Sequence, residues 1–206
     1  MFARSSTIRG QSSMIDSGIA FVRNEAMPAL QSLDGFVGLS MMVDRQSGKC
    51  IATSSWQSEQ AMRASAQPAG GLRARAAEAM GGDAEADEWE VALMHRAYTA
   101  PEGACVRATW TRGDPAQMDR SIDVFKLGVL ATIQELDGFC SASLLVNRND
   151  GRGVAAITYR DRDALNRTRD TVAGIRSAAT RDMGVDVLDI GEFDLALAHL
   201  RVPEMA

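Results

Sequence analysis

A chain whose two halves align at one constant spacing is restricted to folds that can be built twice from the same pattern. In this chain of 206 residues, a shift of 103 positions lays Arg9-Gly10 on Arg112-Gly113, and Leu33-Asp34-Gly35-Phe36 on Leu136-Asp137-Gly138-Phe139. The same shift lays Val43-Asp44-Arg45 on Val146-Asn147-Arg148, Trp56 on Tyr159, Arg73 on Arg176 and Met80-Gly81 on Met183-Gly184. One extra residue then moves the offset to 104, where Trp89 meets Phe193 and His95 meets His199. A unit near 100 residues has the size of a small domain and exceeds a solenoid repeat. The sequence therefore predicts two like domains, residues 1–97 and 105–206, joined by the Pro- and Gly-containing linker 98–104.

Within each half the hydrophobic period changes in a fixed order. A strand-like run, Phe2 to Ile8 or Cys105 to Thr111, is closed by Arg-Gly. Apolar residues then recur at helical steps: Ile15, Ile19, Val22, Ala26, Leu30 and Leu33, against Met118, Ile122, Phe125, Val129, Ile133 and Leu136. Asp-Gly ends this helix, and a glycine there suits the left-handed conformation of a helix exit. Alternation over Phe36 to Val43 and Cys50 to Trp56, with Gly48 in the turn, reads as a hairpin, as do the matching Phe139 to Val146 and Gly153 to Tyr159. A second helical stripe follows, Met62 to Met80 or Leu165 to Met183, with Pro68-Ala69-Gly70-Gly71 predicting a broken helix in the first copy. The last strands are expected at Glu88 to Arg96 and Glu192 to Arg201. The order β-α-β-β-α-β defines an α+β, ferredoxin-like unit with both helices on one face of an antiparallel sheet. Two such units in one chain can cover each other sheet to sheet.

Composition narrows the function classes. The chain is 46% hydrophobic and 24% charged, as in ordinary globular proteins, and its net charge of -5 with scattered basic residues argues against a nucleic-acid partner. It carries neither a signal-like start nor an apolar run of membrane-spanning length, so no membrane association and a cytoplasmic location are expected. Cys50, Cys105 and Cys140 have no CxxC spacing and no counterparts between the halves, which reads as free thiols, not as a disulfide or zinc site. No phosphate loop, Ser-His-Asp order or metal-ligand cluster is present as a motif.

The Arg-Gly after the first strand, the Leu-Asp-Gly-Phe between helix and hairpin, and Trp56-Gln57-Ser58-Glu59-Gln60-Ala61-Met62 resemble the antibiotic biosynthesis monooxygenase-like family of the dimeric α+β barrel superfamily. The resemblance covers nearly all of both halves. It implies two ferredoxin-like repeats forming an intramolecular dimeric α+β barrel, a pseudo-dimer within one chain that could pair further as a homodimer. It also implies a cofactor-independent monooxygenase-like activity, in which a small aromatic or polyketide-like substrate is deprotonated and its carbanion meets dioxygen. Where the family's helix often carries a histidine, this chain has Ser65 and Thr168. That departure favours a non-catalytic or stress-related module that binds a small hydrophobic ligand, and it weighs against the third alternative, haem binding or degradation.

Several residues are candidates for such chemistry, each with a structural reading beside the functional one. Trp56, Tyr159 and Trp89 could stack on a flat substrate, or simply fill the core. His95 and His199, the only two histidines, could act as general bases or haem ligands, or stand as ordinary strand-end residues. By alternation His95 shares a strand face with Trp89, Val91 and Leu93, and His199 with Phe193, Leu195 and Leu197. Arg9 and Arg112 could hold an anionic group, or be solvated turn residues. Arg73 and Arg176 read as surface or ion-paired, and the methionines as core filling. No metal and no bound cofactor are expected.

Overall fold

The computed structural model describes residues 1–200 and 202–205. Arg201, the expected end of the last strand, and Ala206 lie outside the described residues. The chain forms an α+β structure of two compact units, Met1–Trp89 with Phe193–Val202, and Glu90–Glu192 with Pro203–Ala206.

The first unit holds β1 (Phe2–Arg9), α1 (Ile15–Phe21), α2 (Met27–Gln31), β2 (Phe36–Asp44), β3 (Lys49–Trp56), α3 (Glu59–Ala64) and α4 (Ala66–Ala79). The second holds β5 (Cys105–Arg112), α5 (Met118–Val124), α6 (Leu130–Ile133), β6 (Phe139–Asn147), β7 (Arg152–Tyr159), α7 (Arg162–Arg167) and α8 (Arg169–Met183). Two long strands, β4 (Asp83–Arg96) and β8 (Asp186–Leu200), are divided between them: β4 passes from the first unit to the second after Trp89, and β8 returns at Phe193. In the first unit the antiparallel order is β1-β3-β2-β8, and in the second β5-β7-β6-β4. Both long strands start several residues before the expected positions. The first half of β4, Asp83 to Glu88, is polar and largely exposed, and that of β8 keeps Val187, Leu188 and Ile190 exposed, so burial leaves no alternating signal to read.

Each sheet packs its helices over a separate core. In the first unit Ile15, Val22, Ala26 and Leu30 from the first helical segment meet Met41, Val43 and Cys50 from the hairpin and Ala76 and Met80 from the end of α4. In the second, Met118, Ile122, Phe125 and Ile133 meet Leu144, Val146, Ile157 and Val172. Burying side chains of this size stabilises by about 1.5–3 kcal/mol apiece.

Tight backbone contacts explain the sequence motifs. Gly35 and Gly138 have φ of 74° and 77°, and their carbonyls accept the N–H of Gln57 and Arg160, both at 2.8 Å. A Cβ at Gly35 would lie 2.6 Å from Ala61 Cβ, and one at Gly138 2.4 Å from Ala164 Cβ. Left-handed geometry and the absent side chain are thus both required by Leu-Asp-Gly-Phe. The Arg-Gly motif meets the hairpin in the same way: Gly10 N–H donates to Gly48 O at 3.2 Å, and Gly113 N–H to Gly151 O at 2.9 Å.

Three local expectations need correction. The first helical stripe of each unit is not one α-helix, because a π-helical turn, Val22–Ala26 or Phe125–Val129, joins α1 to α2 and α5 to α6. The second helix breaks at Ser65, between α3 and α4, and runs unbroken through Pro68-Ala69-Gly70-Gly71. Pro68 sits in the first turn of α4, where its missing N–H removes no helical bond. The second unit breaks at the matching Thr168 without any proline. Finally, register shifts between Val91 and Leu93, and opposite Leu195 to Leu197, interrupt the alternation that placed His95 with Trp89 and His199 with Phe193.

Candidate functional site

The helix breaks point to residues that sequence reasoning passed over. Arg4 and Arg107, 103 positions apart, are 4% and 3% exposed. Arg4 donates to Met62 O at 2.7 Å and to Ser65 Oγ at 2.9 Å, and pairs with Glu88 at 2.7 Å. Arg107 donates to Leu165 O at 2.9 Å and pairs with Glu192 at 3.0 Å. Each guanidinium thus takes up a carbonyl at the end of a short helix, which is where the ladder gives way. Ser65 and Thr168, where the family often carries histidine, serve these breaks: the Ser65 hydroxyl donates to Met62 O, and that of Thr168 to Ala164 O and Leu165 O. Among the described residues, Arg107 Nη1 and the Tyr159 hydroxyl are buried without a hydrogen-bond partner. The signal in the sequence was the coincidence of Arg4 with Arg107 and of Glu88 with Glu192 at the repeat offsets.

The structure disperses the candidates named from sequence. Trp56 is fully buried in the first core, donating to Ser54 Oγ at 3.1 Å and meeting Phe36 edge to face at 5.6 Å. Tyr159 is fully buried in the second, its ring 5.7 Å from the Arg107 guanidinium. Burial raises the phenol's pKa, opposed by Thr168 and Arg107. Trp89 donates to Ser5 Oγ at 2.8 Å. His95 lies against Phe139, its Nδ1 2.5 Å from Glu204, while His199 Nε2 is 3.4 Å from Gln31 Nε2. Arg9 and Arg112 are exposed at strand ends. The three cysteines are buried thiols outside any disulfide among the described residues.

A cavity of about 90 Å³ lies elsewhere, inside the second unit between its helices and sheet. The π turn and its neighbours supply Ile122, Phe125, Val129 and Ile133; the hairpin supplies Leu144, Ala155 and Ile157; α8 supplies Val172, Ile175 and Met183. Polar groups are few and grouped: Thr109, Thr111, Ser121, Thr180, Arg176 and Asp114. A mostly apolar wall with a handful of polar groups is the usual make-up of a small-molecule site, and a space of this size exceeds what one water needs. Neither histidine borders it, and neither Trp56 nor Tyr159 does.

The first unit treats the matching space differently. Where the cavity has Thr111, Gly153 and Ser121, the first unit has Ile8, Cys50 and Gly18. Met80 is fully buried and lies so near Gly18 that a Cβ there would sit 2.5 Å from its Cγ. The corner closes backbone on backbone: Gln11 N–H donates to Met80 O at 2.9 Å, and a Cβ at Gly82 would fall 2.0 Å from Arg9 O. The second unit has Val185 at the position of Gly82, with Cγ1 2.6 Å from where a Gly113 Cβ would stand. The matching Met183 is only half-buried. A side chain wedged at the corner, together with smaller residues at two strand positions, leaves the space open.

Electrostatics at the cavity are uneven. Asp114 is exposed, and its carboxylate accepts the Ala116 N–H at 2.9 Å as a cap. Arg176 has no hydrogen-bond or ion-pair partner among the described residues. Burial and the like charge of Arg107 push its guanidinium below the ordinary arginine value.

With fold and cavity established, comparison with known proteins defines the class. No family model matches the chain. A candidate monooxygenase from Lactobacillus acidophilus superposes with a TM-score of 0.70 at 8% identity, covering 97% of this chain and 96% of its own. An anthrone oxidase-like protein gives 0.68 at 11% identity, with 99% and 93% covered. A Listeria monocytogenes ferredoxin-fold protein related to antibiotic biosynthesis monooxygenases gives 0.52 at 10% identity, with 99% and 95% covered. The fold is that of the antibiotic biosynthesis monooxygenase type, as the sequence motifs implied.

Sequence relatives then place the chain. It is 51% identical to the uncharacterized protein Rv2557 of Mycobacterium tuberculosis over 205 residues, 100% of this chain and 92% of the relative. It is 50% identical to the uncharacterized protein Rv2558 of the same organism over 206 residues, 100% of this chain and 87% of the relative. The chain belongs to the family of these mycobacterial proteins.

Proposed function

We propose that this protein binds a small, largely apolar molecule in the cavity of its second unit. The observation that carries the reading is the difference between the units: the first fills the matching space with Ile8, Cys50 and Met80, whereas Thr111, Gly153 and Val185 leave it open in the second. Close-packed interiors hold few voids of this size. Titration calorimetry with small aromatics such as phenol, indole and 1-naphthol tests it. Binding by the native chain that disappears in Thr111→Ile supports the reading, and indifference of both proteins to every compound removes it.

Likeness of fold to a candidate monooxygenase and an anthrone oxidase-like protein favours a second reading, cofactor-independent oxygenation of a small aromatic or polyketide-like molecule. A ring methylene and dioxygen would yield a ring carbonyl and water, the carbanion supplying electrons to oxygen directly. Asp114 is the carboxylate in the cavity lining, and in this reading it takes the proton. His95 and His199 have no part at the cavity in this reading. Oxygen uptake with quinol or anthrone-type substrates that falls in Asp114→Asn would support it; no uptake by native protein would leave binding alone. Fold by itself decides architecture, not reaction.

A further inference from the structure

The charge on the cavity wall points to what kind of molecule it takes. Apolar surface dominates the space, yet α8 carries Arg176 into its lining. Among the described residues nothing pairs with that guanidinium; the nearby Arg107 is paired with Glu192, and the Asp114 carboxylate accepts the Ala116 N–H. A half-buried cation without a counter-ion is costly, and a guanidinium offers parallel donors matched to a carboxylate. The depressed pKa of Arg176 agrees with a missing anion. The first unit repeats the arginine as Arg73, but there the matching space holds Met80.

We propose that the ligand is an amphipathic carboxylate, with a short aromatic or aliphatic body among Ile122, Phe125, Ile133, Leu144 and Val172 and its carboxylate on Arg176. This rests on the reading of the cavity as a binding site and adds the charge of the occupant. An apolar body gains from burial, and the anion supplies selectivity.

The test compares acids with their amides on the full chain by titration calorimetry at neutral pH: benzoate with benzamide, and hexanoate with hexanamide. Native protein is expected to prefer each acid by about tenfold or more, the span of one charge-assisted hydrogen bond. Arg176→Gln abolishes the preference, Arg176→Lys keeps part of it, and Arg73→Gln leaves it unchanged. Raising sodium chloride from low to high concentration weakens acid binding and spares the amides, a readout that needs no variant. Equal affinity of native protein for acids and amides, or a preference that survives in Arg176→Gln, overturns the proposal and leaves the cavity reading intact. Failure of all four compounds to bind overturns both.

Discussion

Arg107 Nη2 lies 3.0 Å from Glu192 Oε1, a pair whose arginine is 3% and whose glutamate is 22% exposed. The equivalent Arg4 meets Glu88 at 2.7 Å, but that glutamate is 44% exposed. Removing one partner of a buried pair leaves an uncompensated charge, whereas water replaces a lost partner that was already wet. Glu192→Gln should therefore destabilise by about 3 kcal/mol and Glu88→Gln by about 1 kcal/mol or less. Urea unfolding of the two variants side by side measures the difference; equal losses would refute the ranking.

Tyr159 buries a hydroxyl that has no partner among the described residues, while Trp56, its sequence counterpart, donates to Ser54 Oγ. Tyr159→Phe should be neutral or slightly stabilising, because an unsatisfied hydroxyl carries a desolvation cost of about 1–3 kcal/mol. Burial raises the folded phenol above its ordinary value of 10.0, so its contribution is intact below pH 10 and lost as pH climbs through the folded value. Unfolding measured from pH 8 to 11 should show a decline in native protein that is shallower in Tyr159→Phe. Parallel curves would contradict the placement.

Cys50 is a buried thiol whose pKa burial lifts from 9.0 to about 11, with Arg45 opposing. At pH 8 its thiolate fraction is then about a hundredfold below that of a free cysteine, and access is restricted as well. Iodoacetamide at pH 8 should leave Cys50 unmodified in native protein and label it promptly in urea, as read by peptide mass. Because the shift is upward, the thiol's contribution to stability is whole below pH 9 and lost between about pH 9 and 11. Rapid labelling of the native chain would show that the first core is open.

Thr111→Ile places the first unit's residue, Ile8, at the matching point of the second unit's cavity wall. Filling apolar space adds contacts at little strain, so the variant should gain about 1 kcal/mol and raise Tm by about 2–4 °C. The same change should eliminate binding of any compound that occupies the cavity. A lower Tm would mean that the space is already filled by relaxation of its walls.

Much of the fold is legible in the residues themselves. The alternating hairpins and the positive-φ glycines Gly35 and Gly138 each declare a local conformation, and each is found there, while the stripe from Ile15 to Leu30 declares a helix that the structure interrupts with a π turn. The π turns escape notice because Phe125 and Val129 fit an ordinary helical stripe. The break at Ser65 escapes because its cause is Arg4, 61 residues away, and not the nearby Pro68. The early half of β4 is polar, and in that of β8 Val187, Leu188 and Ile190 stay exposed on a run with no clean alternation, so no period marks either.

By itself the sequence determined the order of strands and helices and the turns where only glycine fits, since these depend on neighbours along the chain. Tertiary structure decided where free volume remains. Thr111, Gly153, Ser121 and Val185 are spread over 75 residues, and each is an unremarkable change from its partner in the first half. A hydrophobic period records which side chains face inward and carries no sum of their sizes. Whether a core closes depends on that sum taken across elements that meet only in space, and it closes around Met80 while remaining open beside Arg176.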